Sequence, residues 1–244
     1  MSLHIDTVAD GAALAERAAD LLQAAAQEGL QQRGRFVIAL AGGSTPRQCY
    51  QRWAQRTGLD WARGVLVFGD ERCVPPDWEQ SNFRMVREAL LSHLPVAPRV
   101  LRMEGETPVP GAAADRYDKA LRDLLGNEGR LDLALLGIGE DGHTASLFPE
   151  QPTLEEATQW CVATEKPGEP GMDAQRLTLT FPILRTARHI VFLSSGAGKA
   201  EIVHRVLKGP YDPMLLPAQT LLRNDKLPQT LVVDAAAAAK LPQS

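Results

Sequence analysis

The sequence predicts an α/β fold on an open, mostly parallel β-sheet. Two observations carry the prediction. Short apolar runs alternate with segments of helical pattern along the chain, the order that parallel strands and crossover helices require. Several of those runs end in turns bearing glycines and acids, at the strand ends where such sheets hold their ligands. No repeat period is visible and no linker is long enough to separate independent units, so residues 1–244 are expected to form a single domain.

The elements follow in order. Residues 8–30, rich in alanine and leucine with spaced charges, read as a helix, and residues 35–41 as a short apolar strand. That strand ends in Gly42-Gly43-Ser44-Thr45-Pro46, after which residues 47–55 read as helical. Residues 65–69 form a second short strand closing on Asp70-Glu71-Arg72. Ser81 is placed to cap a helix running to about residue 91. A loop over 104–111 leads to a helix over 112–125, and then to a buried strand over 131–136. Stretches 160–164 and 176–181 are β-rich, with a Pro- and Gly-bearing loop at 166–171 between them. Residues 189–195 read as a strand, 199–207 as a helix and 231–233 as a last strand. The alanine run 235–239 is expected to be a terminal helix lying on the sheet.

Composition narrows the function classes. A chain of 244 residues buries roughly 70–75% of its unfolded surface. Its hydrophobic fraction of 44% and charged fraction of 23% are those of an ordinary globule. A net charge of −4 argues against a general nucleic-acid binder, which carries a basic excess or stripe. Cys49, Cys73 and Cys161 show neither a disulfide framework nor metal spacing. With no basic head and apolar core at Met1-Ser2-Leu3, and no apolar stretch of membrane-span length, a cytoplasmic setting without membrane contact is expected.

Four constellations are candidates for chemistry. The first is residues 137–149, Gly-Ile-Gly-Glu-Asp-Gly-His-Thr-Ala-Ser-Leu-Phe-Pro, directly after the 131–136 strand. It holds the acid Asp141 beside the base His143, and histidine is the side chain most easily tuned to exchange a proton near neutral pH. Ser146 as a nucleophile is the weaker alternative, since no Gly-x-Ser-x-Gly elbow is present. The second is Gly42, Gly43, Ser44 and Thr45, a strand–glycine–helix junction where unpaired N–H groups and the helix dipole suit an anion. An ordinary strand-to-helix turn is equally compatible with those residues. The third is Asp70-Glu71-Arg72, able to bind a metal, to orient a sugar or to form a solvated ion-pair cluster, with Arg72 as its phosphate candidate. The fourth is a pair of cations, Arg176 opening a strand and Lys199 in a helix first turn, where the dipole disfavours a cation unless an anion faces it. The five histidines show no paired spacing, so no metal is expected.

Taken together these segments resemble the 6-phosphogluconolactonase branch of the glucosamine-6-phosphate isomerase/6-phosphogluconolactonase superfamily. The resemblance runs over nearly the whole chain. It comprises Gly42 to Pro46, Asp70 to Arg72 with Ser81-Asn82, the Asp141-Gly-His-Thr-Ala-Ser-Leu-Phe-Pro149 block, Arg176 with Thr178 and Thr180, Gly198-Lys199, Pro217-Ala218 and Asp234. It implies a Rossmann-like sheet with helices on both faces, and no required metal or organic cofactor. It also implies hydrolysis of 6-phosphoglucono-δ-lactone to 6-phosphogluconate in the oxidative pentose phosphate pathway. The family's general base falls on His143 with Asp141 beside it. Its phosphate-binding positions fall on Gly42, Gly43, Ser44, Thr45, Arg72, Arg176 and Lys199, with Asp70 and Glu71 as possible substrate-orienting acids. The sister deaminases continue from Asp-Gly-His to an Asn-Glu-Pro ending whose glutamate assists ring opening. Phe148 stands there instead and moves no protons. A deaminase/isomerase and a non-catalytic sugar-phosphate sensor are the alternatives. The expected partner is a small sugar-phosphate lactone, not nucleic acid, and the protein is expected to be a monomer or homodimer.

Overall fold

In the computed structural model, which describes residues 3–126 and 129–242, runs of apolar residues buried along their whole length form the middle of a seven-stranded sheet. Met1 and Ser2, with which the leader reading begins, lie outside the described residues. The strands of this sheet are β1 (His4–Val8), β2 (Phe36–Leu40), β3 (Gly64–Phe68), β5 (Arg99–Val100), β6 (Leu133–Gly137), β9 (Ile190–Ser194) and β10 (Gln229–Asp234). Their order is β1-β10-β9-β6-β2-β3-β5, and every pairing is parallel. Every residue of β2, β3, β9 and β10 is buried, as a parallel sheet covered on both faces requires. A smaller antiparallel sheet, in the order β4-β8-β7, joins β4 (Asp70–Arg72), β8 (Gln175–Leu179) and β7 (Cys161–Glu165).

The helices are α1 (Gly11–Arg33), α2 (Ser44–Trp53), α3 (Asn82–Ala89), α4 (Pro110–Leu125), α5 (Phe181–Leu184), α6 (Ala200–Lys208) and α7 (Gln219–Leu222). Connections carrying α1, α2 and α3 step toward the β5 edge, whereas those carrying α4 and α6 step back toward β1. Parallel crossovers are right-handed, so the two sets cover opposite faces. The Rossmann-like, mostly parallel architecture expected from the sequence is therefore the one observed. The chain turns back between β2, which leads on to β3, and its neighbour β6, which leads on to β9. That reversal opens a crevice at the carboxyl ends of these two strands.

Several elements differ from the sequence reading. Residues 4–8 form an edge strand, and α1 begins only at Gly11, where Asp10 accepts the Ala13 N–H at 2.9 Å. The two-residue β5 and the four-residue α7 carry too little local pattern to be read. The alanine run 235–239 forms turns instead of a helix. Asp234 draws the Ala237 N–H onto its carboxylate at 2.8 Å, and five alanines are too short to nucleate a free helix. Lys199 closes a 3-10 turn over Ala197–Lys199, just ahead of α6. The three cysteines are buried and free. Among the described residues no helix is long and apolar enough to cross a membrane.

Candidate active site

The β2/β6 reversal opens into a cleft of about 550 Å³ whose walls come from the ends of β2, β3 and β6, from β4, and from Asn82, Lys166 and Lys199. Past β2, Tyr50 of α2 clamps the Ala41 backbone, its hydroxyl accepting the N–H at 2.9 Å and donating to the carbonyl at 2.8 Å. Gly43 then turns the chain at φ 101°, a left-handed value that a side chain disfavours. The helix that follows starts at Ser44 with no side-chain cap. Its first N–H groups thus keep no partner within the helix, at the positive end of its dipole. Gly42 and Gly43 line the cleft, while Ser44 and Thr45 stand just behind them at the start of α2.

Strand alternation sorts the acid triplet on β4. Successive side chains point to opposite faces. Asp70 and Arg72 accordingly line the cleft, and Glu71 turns inward, 3% exposed. The Glu71 carboxylate accepts the N–H groups of Asn82 at 2.7 Å and Phe83 at 2.8 Å, the Arg72 N–H at 2.8 Å and the Ser81 hydroxyl at 3.1 Å. Burial pushes its pKa up against these N–H bonds, which pull it down. Glu71 is thus engaged in holding the start of α3. Asp70 accepts the Ser146 hydroxyl at 2.7 Å and the Asn82 amide at 3.2 Å, and the Arg72 guanidinium donates to the Gln80 carbonyl at 2.5 Å.

Beyond β6 the chain folds into a tight loop carrying His143. The Gly139 N–H donates to the His143 carbonyl at 2.9 Å and the Gly142 N–H to the Gly139 carbonyl at 3.0 Å. Gly139 must be glycine, because a Cβ there would lie 2.1 Å from His143 Nδ1 and 2.7 Å from Asp141 Oδ1. Asp141 Oδ1 lies 2.6 Å from His143 Nδ1 and also accepts the His143 N–H at 3.1 Å. Burial acts to raise the Asp141 pKa, but the hydrogen bond and charge of His143 outweigh it and hold the carboxyl below its ordinary range. An ionised carboxylate favours a proton on Nδ1, which in the neutral imidazole leaves Nε2 a lone pair. The ring packs tilted on buried Phe148, centroids 4.9 Å apart. Ser146 is buried, with its hydroxyl committed to Asp70.

The two cations expected to bind phosphate differ in placement. Lys199 lines the cleft and its ammonium donates to the Ile138 carbonyl at 2.9 Å, tying the β9–α6 turn to the loop of His143. Arg176 lies directly opposite Arg72 across the antiparallel pair but is buried, donating to Glu169 at 2.8 Å, and does not line the cleft. Lys166, which the sequence places only within a loop, does line it. Asn82, noted in the sequence only within a shared block, joins the wall through its bonds to Asp70. Among the described residues no group of three or more His, Cys, Asp or Glu is placed to hold a metal ion.

Known proteins match this arrangement along its length. The chain is 32% identical over 246 residues to a 6-phosphogluconolactonase of Nostoc sp., covering 99% of both chains. It is 34% identical over 229 residues to one of Synechocystis sp., covering 90% of this chain and 91% of the relative. The crystal structure of a 6-phosphogluconolactonase from Shewanella baltica superposes with a TM-score of 0.86 at 28% identity, covering 96% of this chain and 98% of that one. The family model for glucosamine-6-phosphate isomerases/6-phosphogluconolactonase matches residues 9–232, and the chain belongs to that family.

Proposed function

We propose that the protein hydrolyses 6-phosphoglucono-δ-lactone to 6-phosphogluconate, with His143 as general base. One observation carries this reading: an imidazole oriented by Asp141 at 2.6 Å stands in the same cleft as Arg72, Lys199 and the glycine turn leading into α2. The phosphate docks on the Gly42 to Thr45 turn and on the cleft's cations, which places the lactone C1 beside His143. Arg176, part of the wider phosphate assignment, pairs with Glu169 outside the cleft lining and backs the site from its place opposite Arg72 in the small sheet. Nε2 takes a proton from water as the water oxygen bonds to C1. The tetrahedral intermediate collapses by breaking the bond from C1 to the ring oxygen. The imidazolium returns its proton to that oxygen, and the new carboxylic acid ionises to solvent. One histidine serves as base and then acid. Asp70, fixed by Ser146 and Asn82, orients the sugar hydroxyls. Phe148 packs on the imidazole and supplies no carboxylate for an amino-sugar ring opening, which favours the lactonase over a deaminase.

The test is a coupled lactonase assay with freshly made 6-phosphogluconolactone, corrected for spontaneous opening. His143→Ala lowers kcat by about 10²–10⁴-fold while KM is retained. Turnover unchanged in that variant removes His143 from the mechanism. Ammonia release from glucosamine 6-phosphate would replace the lactonase reading with the deaminase one.

A further inference from the structure

We infer that Lys166 is a substrate-phosphate contact of this cleft, held beside it by Glu169 and transferred to the phosphate when substrate binds. The inference rests on the lactonase reading and adds a specificity residue to it. Lys166 shares the cleft wall with Arg72 and Lys199. Its orientation follows from the small sheet. Thr164 lies opposite Arg176, and Arg176 opposite Arg72, so the three side chains share one face. The Lys166 N–H donates to the Ala174 carbonyl at 2.8 Å, which continues the β7–β8 ladder one step further. Two residues beyond Thr164, Lys166 therefore returns to the face that carries Arg72.

What holds Lys166 there is a detachable partner. Its ammonium pairs with one Glu169 carboxylate oxygen, while the other oxygen accepts from the Arg176 guanidinium at 2.8 Å. Glu169 thus keeps a cationic partner when the ammonium leaves. The lysine and glutamate side chains are 39% and 33% exposed, so their pairing is of the weak, solvent-screened kind. A phosphate dianion offers twice the charge, next to Arg72 and the open N–H groups of α2. The flexible lysine stem makes the exchange without moving the backbone. Lys166 thereby contributes to discrimination between phosphorylated and unphosphorylated lactones, and Glu169 competes with the substrate for it.

The experiment compares wild type, Lys166→Ala, Glu169→Gln and the double variant on 6-phosphogluconolactone and on glucono-δ-lactone. Loss of a charge-assisted contact predicts that Lys166→Ala reduces the preference for the phosphorylated lactone by about ten-fold, through KM. Removing the competitor predicts that Glu169→Gln lowers KM for the phosphorylated lactone by about two- to five-fold. The double variant should match Lys166→Ala in this preference, since the competition for phosphate runs through the lysine and the Glu169–Arg176 pair lies outside the cleft lining. An unaltered preference in Lys166→Ala, or a KM raised by Glu169→Gln, overturns the inference. Calorimetric titration with 6-phosphogluconate against gluconate repeats the comparison without turnover. If wild type opens neither lactone, the lactonase reading fails, and the titration alone decides whether Lys166 contacts phosphate.

Discussion

Replacing Asp141 by asparagine tests the proposed mechanism at its most exposed joint. The carboxylate lies 2.6 Å from Nδ1, and in the proposed mechanism it does two things. It holds the neutral ring in the tautomer with a bare Nε2, and it stabilises the imidazolium that forms as water is deprotonated. An amide keeps the shape and loses both, because it carries no charge and its NH₂ accommodates the opposite tautomer. At an effective dielectric of about 20, unit charges about 4 Å apart attract by about 4 kcal/mol. Asp141 is 46% exposed, so solvent screening lowers the useful share to about 3 kcal/mol. At about 1.4 kcal/mol per decade that is about a 100-fold loss of kcat. The assay is the same corrected lactonase assay, with KM and the thermal midpoint measured beside it to show an intact, substrate-binding fold. A kcat within threefold of wild type would refute the argument. The pH dependence has a defined sign. The carboxyl pKa is held below its ordinary value of 3.8, so the ionised group favours the native state above that value, and the contribution is lost as pH falls below it. The stability difference between wild type and Asp141→Asn should therefore shrink as denaturation is followed from pH 5 downward.

Three further outcomes are expected. Arg72→Ala and Lys199→Ala each weaken the phosphorylated substrate by about 1.5–3 kcal/mol, read as KM, and equal losses on glucono-δ-lactone would remove them from the phosphate site. Ser146→Ala costs one hydrogen bond to Asp70 and lowers kcat less than ten-fold. A loss as large as that of His143→Ala would instead point to Ser146 as nucleophile. Glu71→Gln turns an NH₂ toward donors that now meet a carboxylate oxygen and destabilises the fold by about 1–3 kcal/mol, seen as a lower urea midpoint; an unshifted midpoint would show that α3 does not depend on this carboxylate.

The regions of the fold legible in the sequence are those whose signal is local. β2, β3 and β9 are fully buried apolar runs, and a covered parallel strand leaves that mark in any sequence. β1 hides because an edge strand with alternating exposure, His4-Ile5-Asp6-Thr7-Val8, runs almost directly into a long helix. β5 exists only as Val65 and Leu66 pair with Arg99 and Val100, a contact no local pattern announces. The antiparallel sense of β4, β8 and β7 is likewise a property of the pairing. The alanine run misled because composition favours helix there, while the deciding group, the Asp234 carboxylate, sits one residue before it.

The same division explains the site. Gly42, Gly43, Asp70, Arg72, Asp141 and His143 all follow the carboxyl ends of parallel strands near the chain reversal, so strand order alone brings them to one cleft. Lys166 is invisible to that logic, since it reaches the cleft through an antiparallel hairpin. The placing of Arg176 depends on Glu169, seven residues before it in the chain. Glu71 shows why even adjacent acids cannot be read as a pair: on a strand, the neighbour of a cleft residue faces the scaffold. Here that neighbour supplies the cap on which Asn82 rests, and Asn82 in turn holds Asp70. Asp70 is bonded to Ser146 on the His143 loop, and Lys199 is bonded to Ile138 at the start of that loop. The cleft walls are thus tied to one another before any ligand enters. In the proposed mechanism a lactone fixed by its phosphate would meet an imidazole already oriented, leaving little reorganisation for the chemical step.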